Sequence, residues 1–185
     1  MTELLVRDLW VSYDGEPVLS GFTCDFTPPG CYALMGASGV GKTTLLHTLA
    51  GLIRPERGDV GGFAHVRRAL LFQEDRLLEH LTAEQNVELV SDRETARGLL
   101  EELGLGDRLD ALPGTLSGGQ RRRVALARCL AYGGDVLLLD EPFKGLDEQA
   151  RAVACRVIAQ RGVRVILSTH DRTEARLLEA RIVSL

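Results

Sequence analysis

Residues 36–43 have the types and spacing that bind a phosphate group. They run Gly-Ala-Ser-Gly-Val-Gly-Lys-Thr, and the glycines let the backbone wrap closely around an anion. In a loop that follows a strand and opens a helix, the amides turn inward and the helix N-terminus favours negative charge. Lys42 would then reach the terminal phosphates, and the Thr43 hydroxyl would ligate Mg²⁺. The candidate phosphate-binding residues of this loop are Gly36, Ser38, Gly39, Gly41, Lys42, Thr43 and Thr44.

A second candidate group lies at residues 136–141, which run Val-Leu-Leu-Leu-Asp-Glu. An apolar run that ends in a carboxylate puts charge at the C-terminal edge of a buried parallel strand, where ligands bind in open α/β sheets. Asp140 is therefore a candidate ligand of Mg²⁺, directly or through water. Glu141 taken alone is better interpreted as a turn carboxylate before Pro142.

Residues 116–120, Leu-Ser-Gly-Gly-Gln, form a further candidate anion site. Ser117 offers a hydroxyl that caps a helix, and the two glycines leave the first amides unobstructed. The alternative is a simple helix cap. If residues 36–43 and 116–120 both bind anions, one chain carries two anion-binding helix N-termini, which is more than a single nucleotide needs.

A phosphate loop followed by Leu-Ser-Gly-Gly-Gln resembles the ATP-binding cassette (ABC) ATPase family, for which that pentapeptide is the signature. The resemblance implies that two copies close on two ATP molecules. Ser117, Gly119 and Gln120 would bind the ATP held by the phosphate loop of the partner. It also implies that Glu141 is the catalytic glutamate, which orients or deprotonates the attacking water.

Four more residues match positions of that family. Gln73, after a predicted strand, matches the glutamine that reaches Mg²⁺ and water. His170 matches the switch histidine that contacts the γ-phosphate, although a lone histidine is usually a surface or core residue. Tyr13 matches the aromatic residue that stacks on adenine, with a plain strand tyrosine as the alternative. Asp147 matches the D-loop aspartate, and Lys144-Gly145 stands before Leu146-Asp147 where a small pair is usual.

The element pattern predicts an α/β fold: a P-loop NTPase core with a mostly parallel sheet, an N-terminal antiparallel β subdomain and an inserted helical subdomain. We expect a single domain over 1–185, with 1–73 and 116–185 as the nucleotide-binding core and 74–115 as the helical insert. Within these parts the sequence predicts a turn-rich link at Gly58–Gly62 and capping boxes at Thr82–Gln85 and Ser91–Glu94. Helices are expected at 41–50, 116–132, 148–160 and 171–180.

Composition narrows the class of protein. A chain of 185 residues suits one well-buried core, and its net charge of −4 argues against a nucleic-acid platform. The three arginines at 121–123 are expected on a solvated or interface face. The four cysteines lack metal-ligand spacing and indicate reduced thiols in a cytoplasmic protein. The sequence predicts neither a signal peptide nor a membrane span.

The resemblance predicts an ATPase subunit at the cytoplasmic face of the inner membrane. Its expected partners are an integral membrane permease, a second copy or a similar subunit, and indirectly an extracytoplasmic binding protein. Residues 72–82 look like bacterial importers of the nitrate/sulfonate or thiamine type. The alternative is a soluble ABC ATPase that powers DNA repair, translation or iron–sulfur assembly. A P-loop kinase or GTPase would leave the signature unexplained.

Overall fold

Alternating residues near the N-terminus form an antiparallel sheet of three strands. The computed structural model describes residues 2–185. Its strands β1 (Leu5–Tyr13), β2 (Glu16–Asp25) and β4 (Arg57–Gly61) lie in the order β2-β1-β4. The predicted link at Gly58–Gly62 is therefore wrong, because most of that segment is strand β4, paired antiparallel with β1. The glycine-rich sequence of this segment has low strand propensity, and its pairing with β1 supplies the hydrogen bonds that make it a strand.

The short apolar runs form a second sheet of five strands in the order β5-β6-β7-β3-β8. Its strands are β3 (Cys31–Met35), β5 (Arg68–Leu71), β6 (Val136–Asp140), β7 (Arg164–Ser168) and β8 (Arg181–Ser184). The pairs β3–β7, β3–β8 and β6–β7 are parallel. Every residue of β6 is buried, as expected for a central parallel strand. The predicted fold class, a mostly parallel sheet with a separate antiparallel sheet, is confirmed.

Helices α1 (Lys42–Ala50) and α6 (Arg172–Leu177) complete this part of the chain. Gly51 ends α1 in the left-handed conformation, as predicted for a C-terminal stop. Helix α6 begins after Asp171, whose side chain caps it, and it is shorter than the predicted 171–180. Buried leucines of α1 pack into the core with the strands and with three aromatic rings that meet edge to face, Phe26, Tyr32 and Phe63.

The remaining helices are α2 (Ala83–Glu88), α3 (Arg93–Glu102), α4 (Gly118–Tyr132) and α5 (Glu148–Ala159). The predicted capping box at Thr82–Gln85 opens α2. The one predicted at Ser91–Glu94 is wrong by one residue, since the Asp92 carboxylate accepts from the Thr95 amide and caps α3. A carboxylate is as good an N-cap as a hydroxyl, so the adjacent residue took the position.

The chain divides into two compact units. One comprises residues 2–70, 134–140 and 163–185, with both sheets, α1 and α6; the other comprises 71–133 and 141–162, with α2 to α5. The sequence-based division, with 74–115 alone as the insert, stays a prediction, because these units reflect packing and not independent folding. Within residues 2–185, no helix combines the length and apolar character needed to cross a membrane.

Candidate nucleotide-binding and hydrolysis site

The phosphate loop lies between β3 and α1, the strand–loop–helix setting that its sequence predicts. The Lys42 ammonium donates to the carbonyl oxygens of Gly36 at 2.9 Å and Ala37 at 2.8 Å. These bonds hold the ammonium over the backbone of the loop. An anion in the loop would meet this charge together with the amides of the first helical turn.

Glycine is required at the entrance to α1. Gly41 has φ of 108°, and a Cβ there would stand 2.8 Å from a methyl carbon of Leu19. Gly39 also has positive φ, 81°, but faces open space. No side chain caps α1 at Gly41, and the first turn of the helix carries no acidic residue. The first amides of α1 therefore stay available to an anion.

Asp140 ends β6 and is 1% exposed. In the parallel register it lies beside Ser168 of β7, whose hydroxyl donates to the Asp140 Oδ1 at 2.6 Å. This bond fixes the carboxylate at the end of the strand. Mg²⁺ commonly takes one or two carboxylates and completes its shell with phosphate and water, so Asp140 with the Thr43 hydroxyl suits that ion chemically.

His170 lies two residues after the end of β7 and is exposed. The residues on both sides of it are fixed: the Thr169 hydroxyl donates to the Glu174 carboxylate and accepts from the Asp171 amide. The imidazole is thus presented on an anchored backbone. Tyr13, at the end of β1, is 48% exposed, which leaves ring surface available for stacking.

Glu141, in the second unit, has the left-handed φ of 46°, a conformation that is costly for a residue with a side chain. Its Oε2 accepts from the Gln73 amide nitrogen at 3.5 Å and lies 3.8 Å from the Lys144 ammonium. The two candidate hydrolysis residues of this unit, Gln73 and Glu141, are therefore brought together. The strain at Glu141 occurs where the chain leaves β6.

The signature residues form a complete capping box at the start of α4. The Ser117 hydroxyl accepts from the Gln120 amide at 3.2 Å, and the Gln120 side chain accepts from the Ser117 amide at 2.9 Å. Gly119 packs so closely that a Cβ there would lie 2.6 Å from the Gly145 carbonyl oxygen. The signature and the segment before Asp147 thus meet backbone to backbone, and Asp147 itself caps α5 by accepting from the Ala150 amide.

The arginine run does not lie on one solvated face, as the sequence had suggested. Arg121 is exposed, whereas Arg122 is 2% exposed. A helical signal was available, because residues three, four and seven positions after Arg122 are the buried Ala125, Leu126 and Cys129. Arg122 therefore belongs to the apolar face of α4, and its guanidinium is satisfied there by hydrogen bonds described below.

Comparison with known proteins adds independent support for an ATP-binding cassette. A family profile described as ABC transporter matches residues 19–144. An aliphatic sulfonates import ATP-binding protein of Nocardia farcinica is 43% identical over 189 residues, covering 97% of this chain and 75% of the relative. One of the same description from Granulibacter bethesdensis is 45% identical over 181 residues, covering 94% and 75%.

Solved structures give the same result. A dimeric bacterial ABC transporter cassette superposes with a TM-score of 0.87 at 26% identity, covering 98% of this chain and 94% of that one. A dimeric post-hydrolysis state of an ATP-binding cassette, bound to ADP and Pi, superposes with a TM-score of 0.86 at the same identity and coverage. The likeness therefore extends over nearly the whole chain.

Proposed function

This chain belongs to the ABC transporter family, and we propose that two copies of it hydrolyse ATP to drive a separate membrane permease that imports its substrate. Its membership, predicted from the motifs, is confirmed, and so is its assignment as an ATP-binding ATPase. Two helix N-termini of the phosphate-binding type in one chain, at Gly41 and Ser117, support the proposal most directly.

In the proposed site the first unit holds the triphosphate. The loop amides and the Lys42 ammonium bind phosphate oxygens, and Lys42 exchanges its carbonyl contacts for them. Thr43 and Asp140 would ligate Mg²⁺, with Gln73 as a further ligand. When bound, the ion would supply charge neutralisation at the phosphates. Tyr13 would stack on the base, and Thr44 would add a hydroxyl at the phosphates.

Hydrolysis then needs a positioned water and stabilised charge more than covalent chemistry. We assign Glu141 as the residue that accepts a proton from the attacking water or orients it. His170 would donate to the γ-phosphate. The anchored backbone around His170 and the hydrogen bond from Gln73 to Glu141 support these roles, since both hold polar side chains at defined places.

The partner copy completes each site. Ser117, Gly119 and Gln120 would bind the ATP held by the phosphate loop of the other copy, and Asp147 would lie close to it. For this the Ser117 hydroxyl must turn from its helix cap towards a phosphate oxygen. Closure on ATP and reopening after hydrolysis would provide the movement that the permease uses.

Import and peripheral attachment at the cytoplasmic face of the membrane follow by analogy from the relatives. Since they are named for aliphatic sulfonates, a permease for such small organic anions is the first partner to test. The ATPase does not select the substrate, so the permease must be identified directly.

The central test is Glu141→Gln. This variant should bind ATP with near-normal affinity, form an ATP-dependent dimer and lose turnover by about 10²–10⁴-fold, the usual contribution of a general base. Turnover close to that of the wild type would remove Glu141 from its role. Ser117→Arg should block the ATP-dependent dimer but leave nucleotide binding by the monomer intact, and loss of monomer binding would contradict the arrangement in trans.

The same Glu141→Gln variant identifies the partner. Tagged at native expression level, trapped with ATP and Mg²⁺ and gently solubilised, it should retain a stoichiometric polytopic membrane protein. Recovery of ribosomes, nucleic acid or only soluble proteins would instead favour a non-transport machine, with the ATPase assignment unchanged.

A further inference from the structure

Arg122 joins two segments of the candidate hydrolysis site within the second unit. Its Nε and Nη2 donate to the Glu141 carbonyl oxygen at 3.2 and 3.0 Å. Its Nη1 donates to the carbonyl oxygens of Phe72 at 2.7 Å and Gln73 at 3.4 Å, and to the Asp75 carboxylate at 3.1 Å. The Arg122 guanidinium therefore binds the Glu141 backbone through Nε and Nη2, and the backbone of Phe72 and Gln73 through Nη1.

The backbone of Glu141, to which Arg122 donates, has a strained conformation that surrounding hydrogen bonds must stabilise. Glu141 has φ of 46°, and the next residue, Pro142, has no amide hydrogen. The Glu141 carbonyl oxygen also accepts from the Lys144 amide at 3.2 Å, which adds one backbone hydrogen bond to the two from Arg122. Since a left-handed conformation costs about 1–2 kcal/mol for an ordinary residue, surrounding bonds must hold it in place.

We propose that Arg122 is a positioning residue that aims the Glu141 carboxylate and fixes it relative to Gln73. This inference rests on the proposed role of Glu141. Because Arg122 belongs to the first turns of α4, it also ties the signature helix to the residues that act on water. Arginine suits this task, since its planar fork donates in several fixed directions, whereas lysine is a point donor.

The arginine run supplies its own control. Arg121 is exposed. Arg123 donates to the carbonyl oxygens of Leu103 at 2.9 Å, Gly104 at 3.3 Å and Gly119 at 3.4 Å, so it contacts the signature itself. Arg121 is therefore the matched control, because it is the same residue type, one position earlier than Arg122 on the same helix, and lies in solvent.

The test compares Arg122→Lys with Arg121→Lys in the purified full chain. For Arg122→Lys, kcat for ATP should fall about 10–100-fold, as for a misplaced catalytic group, while KM changes by less than about threefold. Arg121→Lys should keep kcat within about twofold, because the Arg121 side chain is exposed. Rates are expressed per ATP-binding site from a binding titration, so that loss of folded protein does not count as loss of catalysis.

Arg122→Gln serves as a second variant, because a neutral glutamine places no charge in the buried site if Arg122→Lys fails to fold. Its kcat should fall at least as far, because one amide cannot span both segments. In a Glu141→Gln background, either Arg122 variant should lower the residual rate by less than about twofold, because the arginine acts through that carboxylate.

The outcomes separate the two proposals. If Glu141→Gln abolishes turnover while the Arg122 variants keep kcat within twofold, the positioning role is wrong and the proposed function stands. If the Arg122 loss is undiminished in the Glu141→Gln background, Arg122 does not act through Glu141. If Glu141→Gln itself hydrolyses ATP normally, the proposed role of Glu141 fails, and the positioning role fails with it.

Discussion

The two signature glycines should respond in opposite ways to the same added methyl group. Gly118→Ala places a Cβ with nothing within 4 Å, whereas Gly119→Ala places one 2.6 Å from the Gly145 carbonyl oxygen. Both lie in the first turn of α4, so both gain from the better helix propensity of alanine. A comparison of the two variants therefore isolates the effect of the overlap.

The magnitude follows from that distance. Carbon and carbonyl oxygen normally approach to about 3.3 Å, so the backbone at Gly119 and that at Gly145 must separate by about 0.7 Å. Neither is a flexible side chain that could rotate away. Overpacking of this kind costs about 1–3 kcal/mol. Gly118→Ala should be neutral or stabilised by up to about 1 kcal/mol, and Gly119→Ala should be less stable than Gly118→Ala by about 1–3 kcal/mol.

Urea unfolding followed by circular dichroism, without nucleotide and at low protein concentration, measures this difference without any contribution from binding in trans. Equal free energies of unfolding for the two variants would refute the close packing of Gly119 on Gly145. Gly119→Ala should also turn over ATP more slowly per binding site, because its added methyl group displaces the signature from the segment that precedes Asp147.

Three further predictions concern other parts of the chain. The hydrogen bond from the Arg93 guanidinium holds the pKa of the buried Glu84 carboxyl below its usual value, with burial opposing it; its contribution to stability is present above about pH 4.5 and is lost as pH falls through the lowered pKa. Glu84→Gln should lower the free energy of unfolding at pH 7 by only about 1–2 kcal/mol, because solvent around the bonded Arg93 and Arg97 weakens both ion pairs. The urea midpoint of the variant should also fall less steeply than that of the wild type as pH is lowered below about 4.5. An equally steep fall would contradict this role of Glu84. Burial raises the pKa of the Cys129 thiol to about 12, so a thiol reagent at pH 8 should modify it only after unfolding, and rapid labelling in the native chain would argue against its burial. Gly41→Ala should lose most ATP binding, since its Cβ would meet Leu19 at 2.8 Å in a backbone conformation with φ of 108°; wild-type affinity in a fluorescent-nucleotide titration would show that the loop tolerates it.

Local rules were sufficient where the sequence contains its own hydrogen-bond partners. The capping box predicted at Thr82–Gln85 forms, and so does the N-cap predicted at Ser117, which the Gln120 side chain completes as a capping box. The phosphate loop needs glycine at position 41, which the sequence supplies. These elements were predictable because each depends on residues within one turn.

Tertiary partners decided the rest. Strand β4 carries glycines at 58 and 61 and lacks an alternating pattern, and it is a strand because β1 pairs with it. Ser91 and Asp92 both suit an N-cap; the sequence-based prediction chose Ser91, whereas Asp92 caps α3. Helical spacing puts Arg122 on the apolar face of α4, but its hydrogen-bond partners are carbonyl groups about 19 and 50 residues away along the chain, which no short pattern contains.

If Gln73 and Glu141 act on water as proposed, the contacts of α4 give a reason why they and the signature should respond to ATP together. Gly119 packs on the Gly145 backbone, and three residues later Arg122 donates hydrogen bonds to the carbonyl oxygens of Glu141 and Phe72. A displacement of the signature by a partner's nucleotide would therefore be carried by these two contacts to both segments. Because Arg122 is buried and bonded to both segments, we expect the helix and both segments to move as one body. Binding in trans would then set the geometry of Glu141 in the same step, which makes ATP closure and hydrolytic competence one event.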